Sequence, residues 1–145
     1  MPSISEFMTR EHRGCDEIFA NAEASVDKED WEKAGELTRA YLNNMERHFT
    51  MEEQVLFPAF EQQTGIIHGP TTIMREEHQQ MRQLLMQLQW ALDEKQHDEF
   101  LDTCETLLIM MQQHNMKEEG MLYPMCDQQL TDVEQIIENM EQVSL

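Results

Sequence analysis

Proline and glycine are scarce in this chain, four and five among 145 residues, and β-branched residues are few. Met, Leu, Glu and Gln are plentiful instead, a composition that disfavours sheet and lets helix run almost uninterrupted. Basic residues are also few: ten Lys and Arg face 29 Asp and Glu, for a formal net charge of −19. Such a surface repels phosphate backbones and anionic lipid alike, which argues against nucleic-acid and membrane partners. No apolar run approaches the ~20 residues that a membrane span requires, and no basic stretch followed by an apolar one opens the sequence. The three cysteines, Cys15, Cys104 and Cys126, are odd in number and lack CxxC spacing. They suit free thiols in a reducing compartment, so the expected location is cytoplasmic.

What the chain does have is a repeat. The segment His48-Phe-Thr-Met-Glu52-Glu53-Gln-Val-Leu56-Phe57-Pro58 returns 66 residues later as His114-Asn-Met-Lys-Glu118-Glu119-Gly-Met-Leu122-Tyr123-Pro124. The same offset carries Met8 to Met74, Glu11 to Glu77 and His12 to His78 without a gap. In each copy a His and a Glu are four residues apart, which in a helix stacks them on one face roughly 6 Å apart along the axis. One such pair is weak evidence, because in an acidic helical chain it is ordinarily a solvated surface pair. Duplication of the pattern while most neighbouring positions differ singles out His12, His48, Glu52, His78, His114 and Glu118.

Apolar periodicity places these six on inward faces. A first helix carries Ile4, Met8, His12, Cys15, Phe19, Ala22 and Val26 at three- and four-residue steps. After a polar break at Asp27 to Asp30, a second runs to about Gln63 with Leu37, Tyr41, Met45, His48, Glu52, Val55 and Ala59 inward, and Pro58 is expected to kink or end it. Gly65 and Gly69-Pro70 mark the crossing between halves. A third helix presents Met74, His78, Met81, Leu85, Leu88 and Leu92. A fourth presents Phe100, Cys104, Leu107, Met111, His114, Glu118, Met121 and Met125, with Pro124 at its end. The expected fold is all-α: an up-down-up-down four-helix bundle in a single domain over residues 1–145, with halves at about 1–66 and 67–130. A short extra C-terminal helix is expected at about 131–143, opened by a capping box at Thr131 and Glu134. It would be either a lid on the bundle end or a contact between two copies of the chain, as in a homodimer.

A lone His on an apolar face is ordinarily a satisfied core residue. Four, together with two carboxylates and no Lys or Arg on the inner stripes, are a different matter. Each buried carboxylate costs several kcal/mol, a sum that rivals the ~5–15 kcal/mol stability of a whole domain. Two divalent cations would neutralise the carboxylates and turn each buried polar group into a ligand. Two His per ion, with both Glu bridging, divides the set evenly. Imidazole with carboxylate suits iron first, with manganese or zinc as substitutes. The inward methionines read as gap-filling core, and Cys15, a turn from His12, as a small hydrophobe. Glu11, Glu53, Glu77 and Glu119 adjoin the six and are candidates for outer partners of the imidazoles. His68 and His97 fall in connecting segments.

The HxxxE…LFP and HxxxEE…LYP segments resemble those of hemerythrin-like HHE cation-binding domains, over roughly residues 1 to 128. The resemblance implies a four-helix bundle around a non-haem di-iron centre, bridged by an oxo or hydroxo species and two carboxylates, with His12, His48, Glu52, His78, His114 and Glu118 as ligands. It implies handling or sensing of a small gaseous or peroxide ligand (oxygen, nitric oxide, peroxide) under oxidative or nitrosative stress, with an electron partner. The alternatives are an iron store or donor that passes iron to an acceptor protein for repair of iron centres, and a metal-free structural bundle. Oxygen carriers of this kind place a fifth His where this chain has Met74; the four-His, two-Glu set is similar to the bacterial iron-centre repair proteins and the iron-sensing domains.

Overall fold

Ser3 starts the first helix by a capping box: its hydroxyl accepts from the Glu6 amide while Glu6 reaches back to the Ser3 amide. The computed structural model describes residues 1–144, and every regular element among them is helical. The helices are α1 (Ile4–Asp27), α2 (Trp31–Met51), α3 (Phe57–Thr64), α4 (Pro70–Asp93), α5 (His97–Lys117), α6 (Tyr123–Gln129) and α7 (Val133–Glu141). α1 packs on α2 and α5, and α4 packs on the same two, which closes a ring of four antiparallel helices. The turns that join α1 to α2 and α4 to α5 are copies of one another. Glu29 and Lys95 both take a positive φ, and the amides of Asp30 and Gln96 return to Ser25 and Ala91.

α2 does not stop where it meets α3. The two join through a π-turn at Glu52–Leu56, and α5 joins α6 through another at Glu118–Leu122. In each, the hydrogen bond reaches five residues back, from Phe57 N–H to the Glu52 carbonyl and from Tyr123 N–H to that of Glu118. Pro58 and Pro124 therefore do not end their helices; each follows a turn that has already left the α-helical ladder, and helix continues beyond it. The Glu53 carbonyl accepts from Arg75 Nη1 instead.

The extra residue turns everything after it by about 100° relative to α-helical register. Straight periodicity puts Val55, Ala59, Met121 and Met125 inward; the buried residues are instead Leu56, Phe57, Phe60, Leu122, Tyr123 and Cys126, and Met121 is 60% exposed. This is the main correction to the inward stripes read from sequence.

Two apolar cores result. One, around Phe19, Tyr41, Met81 and Phe100, fills the end with the α1–α2 and α4–α5 turns. The other, around Ile4, Phe57, Phe60 and Tyr123, fills the opposite end. α7 plugs the second: Ile137 and Met140 are buried in it, and Arg47 donates to the Glu141 and Val143 carbonyls. That packing is a lid's. Its expected capping box is absent, since Asp132 is the N-cap and makes no side-chain bond. The α1 end is held to α6 by Asp127, which accepts from the Ile4 and Ser5 amides. No helix among the described residues is long and apolar enough to cross a membrane.

Candidate metal centre

Between the two cores lies a polar layer. His12 comes from α1, His48 from α2, His78 from α4 and His114 from α5, each a turn or so from apolar neighbours on the inner face. Glu52 and Glu118 open the two π-turns, and both are fully buried. The structure brings all six together, and none of the four His is more than 4% exposed. His68 is exposed in the crossing segment, and His97 pairs with Asp98 at the start of α5, away from the layer.

The imidazoles form two pairs, His12 with His48 (ring centroids 4.8 Å apart) and His78 with His114 (5.1 Å). Both carboxylates straddle the pairs. Glu52 Oε1 is 3.4 Å from His48 Nε2 and 3.0 Å from His78 Nε2. Glu118 Oε1 is 3.2 Å from the Nε2 of both His12 and His114.

Outer carboxylates set the tautomers. His12 Nδ1 lies 2.6 Å from Glu119, His78 Nδ1 2.6 Å from Glu53 and His114 Nδ1 2.8 Å from Glu77. A carboxylate only accepts, so each Nδ1 carries the hydrogen and each neutral ring turns an Nε2 lone pair inward. Arg82 holds Glu53 in place and Lys117 holds Glu77. Of the four outer acidic residues, Glu11 alone has no imidazole. It faces Arg47 at 3.9 Å, and His48 Nδ1 is left without a partner.

These groups fit a cation better than they fit one another. His12 Nε2 and His48 Nε2 are 3.2 Å apart, a contact that the neutral rings satisfy only with the His48 hydrogen on Nε2, which leaves His48 Nδ1 a buried, unpartnered lone pair. His114 Nε2 and Glu118 Oε2 are buried with no hydrogen-bond partner at all. The donor atoms fall into two tight groups, Glu52–His78–His114–Glu118 and His12–His48–Glu118, each with its atoms within 4.8 Å of one another. No lysine or arginine enters either group, and the acidic surface around them attracts cations.

The family model of the hemerythrin HHE cation-binding domain matches residues 3–126. This chain belongs to that family. Neither a curated protein nor a solved structure matches the chain. The HHE match ends at Cys126, so α7 lies beyond it.

Without an ion, protons take up the charge of this HHE layer. Burial alone would lower the His12 pKa, but the hydrogen bonds and charge of Glu118 and Glu119 outweigh it and raise it to about 9. His78 rises against its burial to about 9 for the same reason, through Glu52 and Glu53, and Glu118 raises His114. Burial would raise Glu52, yet His48 and His78 hold it well below the usual carboxylate range.

One polar residue of the layer is absent from the sequence-derived set. Tyr123 is fully buried, and its hydroxyl lies 2.8 Å from Glu52 Oε2, 2.9 Å from Glu118 Oε1 and 3.1 Å from His12 Nε2. Its counterpart Phe57 stacks on the His78 ring at 5.7 Å. The signal in the sequence was the LFP-to-LYP difference, but α-helical register turns Tyr123 away from Glu118's face. Only the π-turn brings it in.

Proposed function

We propose that these six side chains hold two iron ions, one on His12 and His48 and one on His78 and His114, with Glu52 and Glu118 bridging them. The observation that carries this reading is that each carboxylate approaches one imidazole of each pair, at 3.0 to 3.4 Å. Manganese or zinc could occupy the same donors, but imidazole and carboxylate without thiolate suit iron.

Bound iron would supply one-electron chemistry toward oxygen, nitric oxide or peroxide. The chain's own contribution is geometric. Glu119, Glu53 and Glu77 fix three imidazole tautomers, the two apolar cores keep bulk water from the layer, and Tyr123 places its phenol oxygen between Glu52 and Glu118. An open groove between α1 and α5, lined by Asp16, Phe19, Met111, Asn115 and Glu119, runs along the surface beside the outer partner of His12. Met74 is buried where an oxygen carrier would place a fifth imidazole, which favours reaction or sensing over reversible carriage. Three buried free thiols suit a reducing cytoplasm.

Metal analysis and an optical spectrum of protein purified without air, before and after exposure, test this reading. About two irons per chain and a spectral change with oxygen or nitric oxide are expected. Labile iron that passes readily to an apo-protein would replace it with the iron-donor role, and no bound metal would leave a structural bundle.

A further inference from the structure

The two donor groups are unequal. Glu52, His78, His114 and Glu118 make a set of four, whereas His12, His48 and Glu118 make a set of three. The phenol oxygen of Tyr123 lies against the smaller set, 3.1 Å from His12 Nε2 and 2.9 Å from Glu118 Oε1. Its ring lies beside that of His12, with centroids 5.6 Å apart. One hydroxyl hydrogen here faces two carboxylate acceptors, Glu52 Oε2 and Glu118 Oε1, with His12 Nε2 beside them. It satisfies one of them. The remaining lone pairs converge on the phenol oxygen, an arrangement that a cation relieves and a second proton relieves only in part. Across the pseudo-twofold the equivalent position is Phe57, which offers no oxygen and stacks on His78. The asymmetry therefore sits on the side where three donors rather than four cluster within 4.8 Å of one another.

We propose that Tyr123 is a further ligand of the metal centre, its phenolate oxygen completing the coordination of the ion held by His12 and His48. This rests on the two-iron reading above. Ligation breaks the phenol O–H bond and forms an oxygen–metal bond. The proton passes to the Glu52 or Glu118 oxygen that it already faces and then to solvent, and no electron changes hands. An anionic oxygen donor favours the ferric state, so the two irons are inequivalent: the one beside Tyr123 is the harder to reduce.

The test is optical. Protein loaded anaerobically with ferrous iron and oxidised with ferricyanide should show a phenolate-to-iron charge-transfer band in the visible, and resonance Raman excited in that band should show phenolate ring modes. Tyr123→Phe should bind the same amount of iron and lose both signals; Phe57 shows that this position in the fold accepts a phenylalanine. The chain has two tyrosines, and Tyr41 lies in the other core beside Phe19, so Tyr41→Phe should keep the band. If Tyr123→Phe fails to fold, ring-deuterated tyrosine in Tyr41→Phe, where Tyr123 is the only one left, should still shift the Raman lines. An iron-loaded wild type with no such band, or a band that survives in Tyr123→Phe, overturns the ligand assignment and leaves the two-iron reading standing. A chain that takes up no iron overturns both.

Discussion

Each buried imidazole in this layer has two nitrogens to satisfy, and three of the four hand the outer one to a carboxylate: Glu119, Glu53 or Glu77. Such partners fix the ring and raise its basicity, and losing one typically costs about 10–100-fold in metal affinity. Glu53→Ala and Glu119→Ala should each weaken iron binding by about that factor in a competition titration. Glu11→Ala should leave it nearly unchanged, because Glu11 faces Arg47 rather than His48; equal losses in all three variants would show that the bound state closes the missing pair. Glu118→Gln should be the most damaging single change, since that carboxylate belongs to both donor groups. Loss of both ions, rather than one, is the expected result in a metal count.

At the scale of elements, the π-turns aim the residues that follow Glu52 and Glu118. Inserting an alanine beside the exposed Gln54 would add a residue beyond the one the π-turn already absorbs and swing Phe57 and Phe60 by about 100° out of the core around Ile4 and Tyr123. Each buried phenylalanine lost from a core costs about 3–5 kcal/mol, so the insertion should unfold the protein or lower its denaturant midpoint sharply. A near-normal midpoint would mean that the register is set elsewhere. α7 hangs on less. Arg47→Ala removes two bonds to its last carbonyls while Ile137 and Met140 stay buried, so hydrogen exchange in α7 should quicken with only a small loss of global stability, about 1–3 kcal/mol for bonds to a charged donor.

For the whole molecule, the polar layer links stability to pH and to metal. The metal-free chain holds protons on His12 and His78, whose pKa rises from 6.5 to about 9. Their contribution is complete below pH 6.5 and is lost as pH climbs through about 9. Glu52 has the opposite sign: its depressed pKa contributes above the ordinary value of 4.5 and is lost in acid. Thermal melts of the metal-free protein should therefore peak between about pH 4.5 and 6.5 and decline toward pH 9. Bound ions displace those protons, so iron affinity should rise across pH 6.5–9 and the loaded protein should not share the alkaline decline. A metal-free melting temperature that is flat up to pH 9 would contradict this account. Protonated imidazoles also compensate the two carboxylates in the metal-free state, so that state remains folded in the neutral range and gains stability on loading.

The inward His and Glu, the helical class and the HHE resemblance were legible in the sequence, because duplication at a fixed offset needs no coordinates to be seen and apolar spacing at 3.6 residues reports which face is buried. The LFP and LYP segments were legible as landmarks but not as structure. Whether a helix closes a turn over four residues or five is not written in local propensity; it is decided by what the following side chains must pack against, here Ile4, Ile137 and Met140 at the end of the bundle. That one choice put Leu122 and Tyr123 inside and Met121 outside. Tertiary packing also decided that each carboxylate reaches across the halves to one imidazole of each pair, and that Arg47, recruited by α7, draws Glu11 away from His48. Those are relations between helices, and no single helix's sequence contains them.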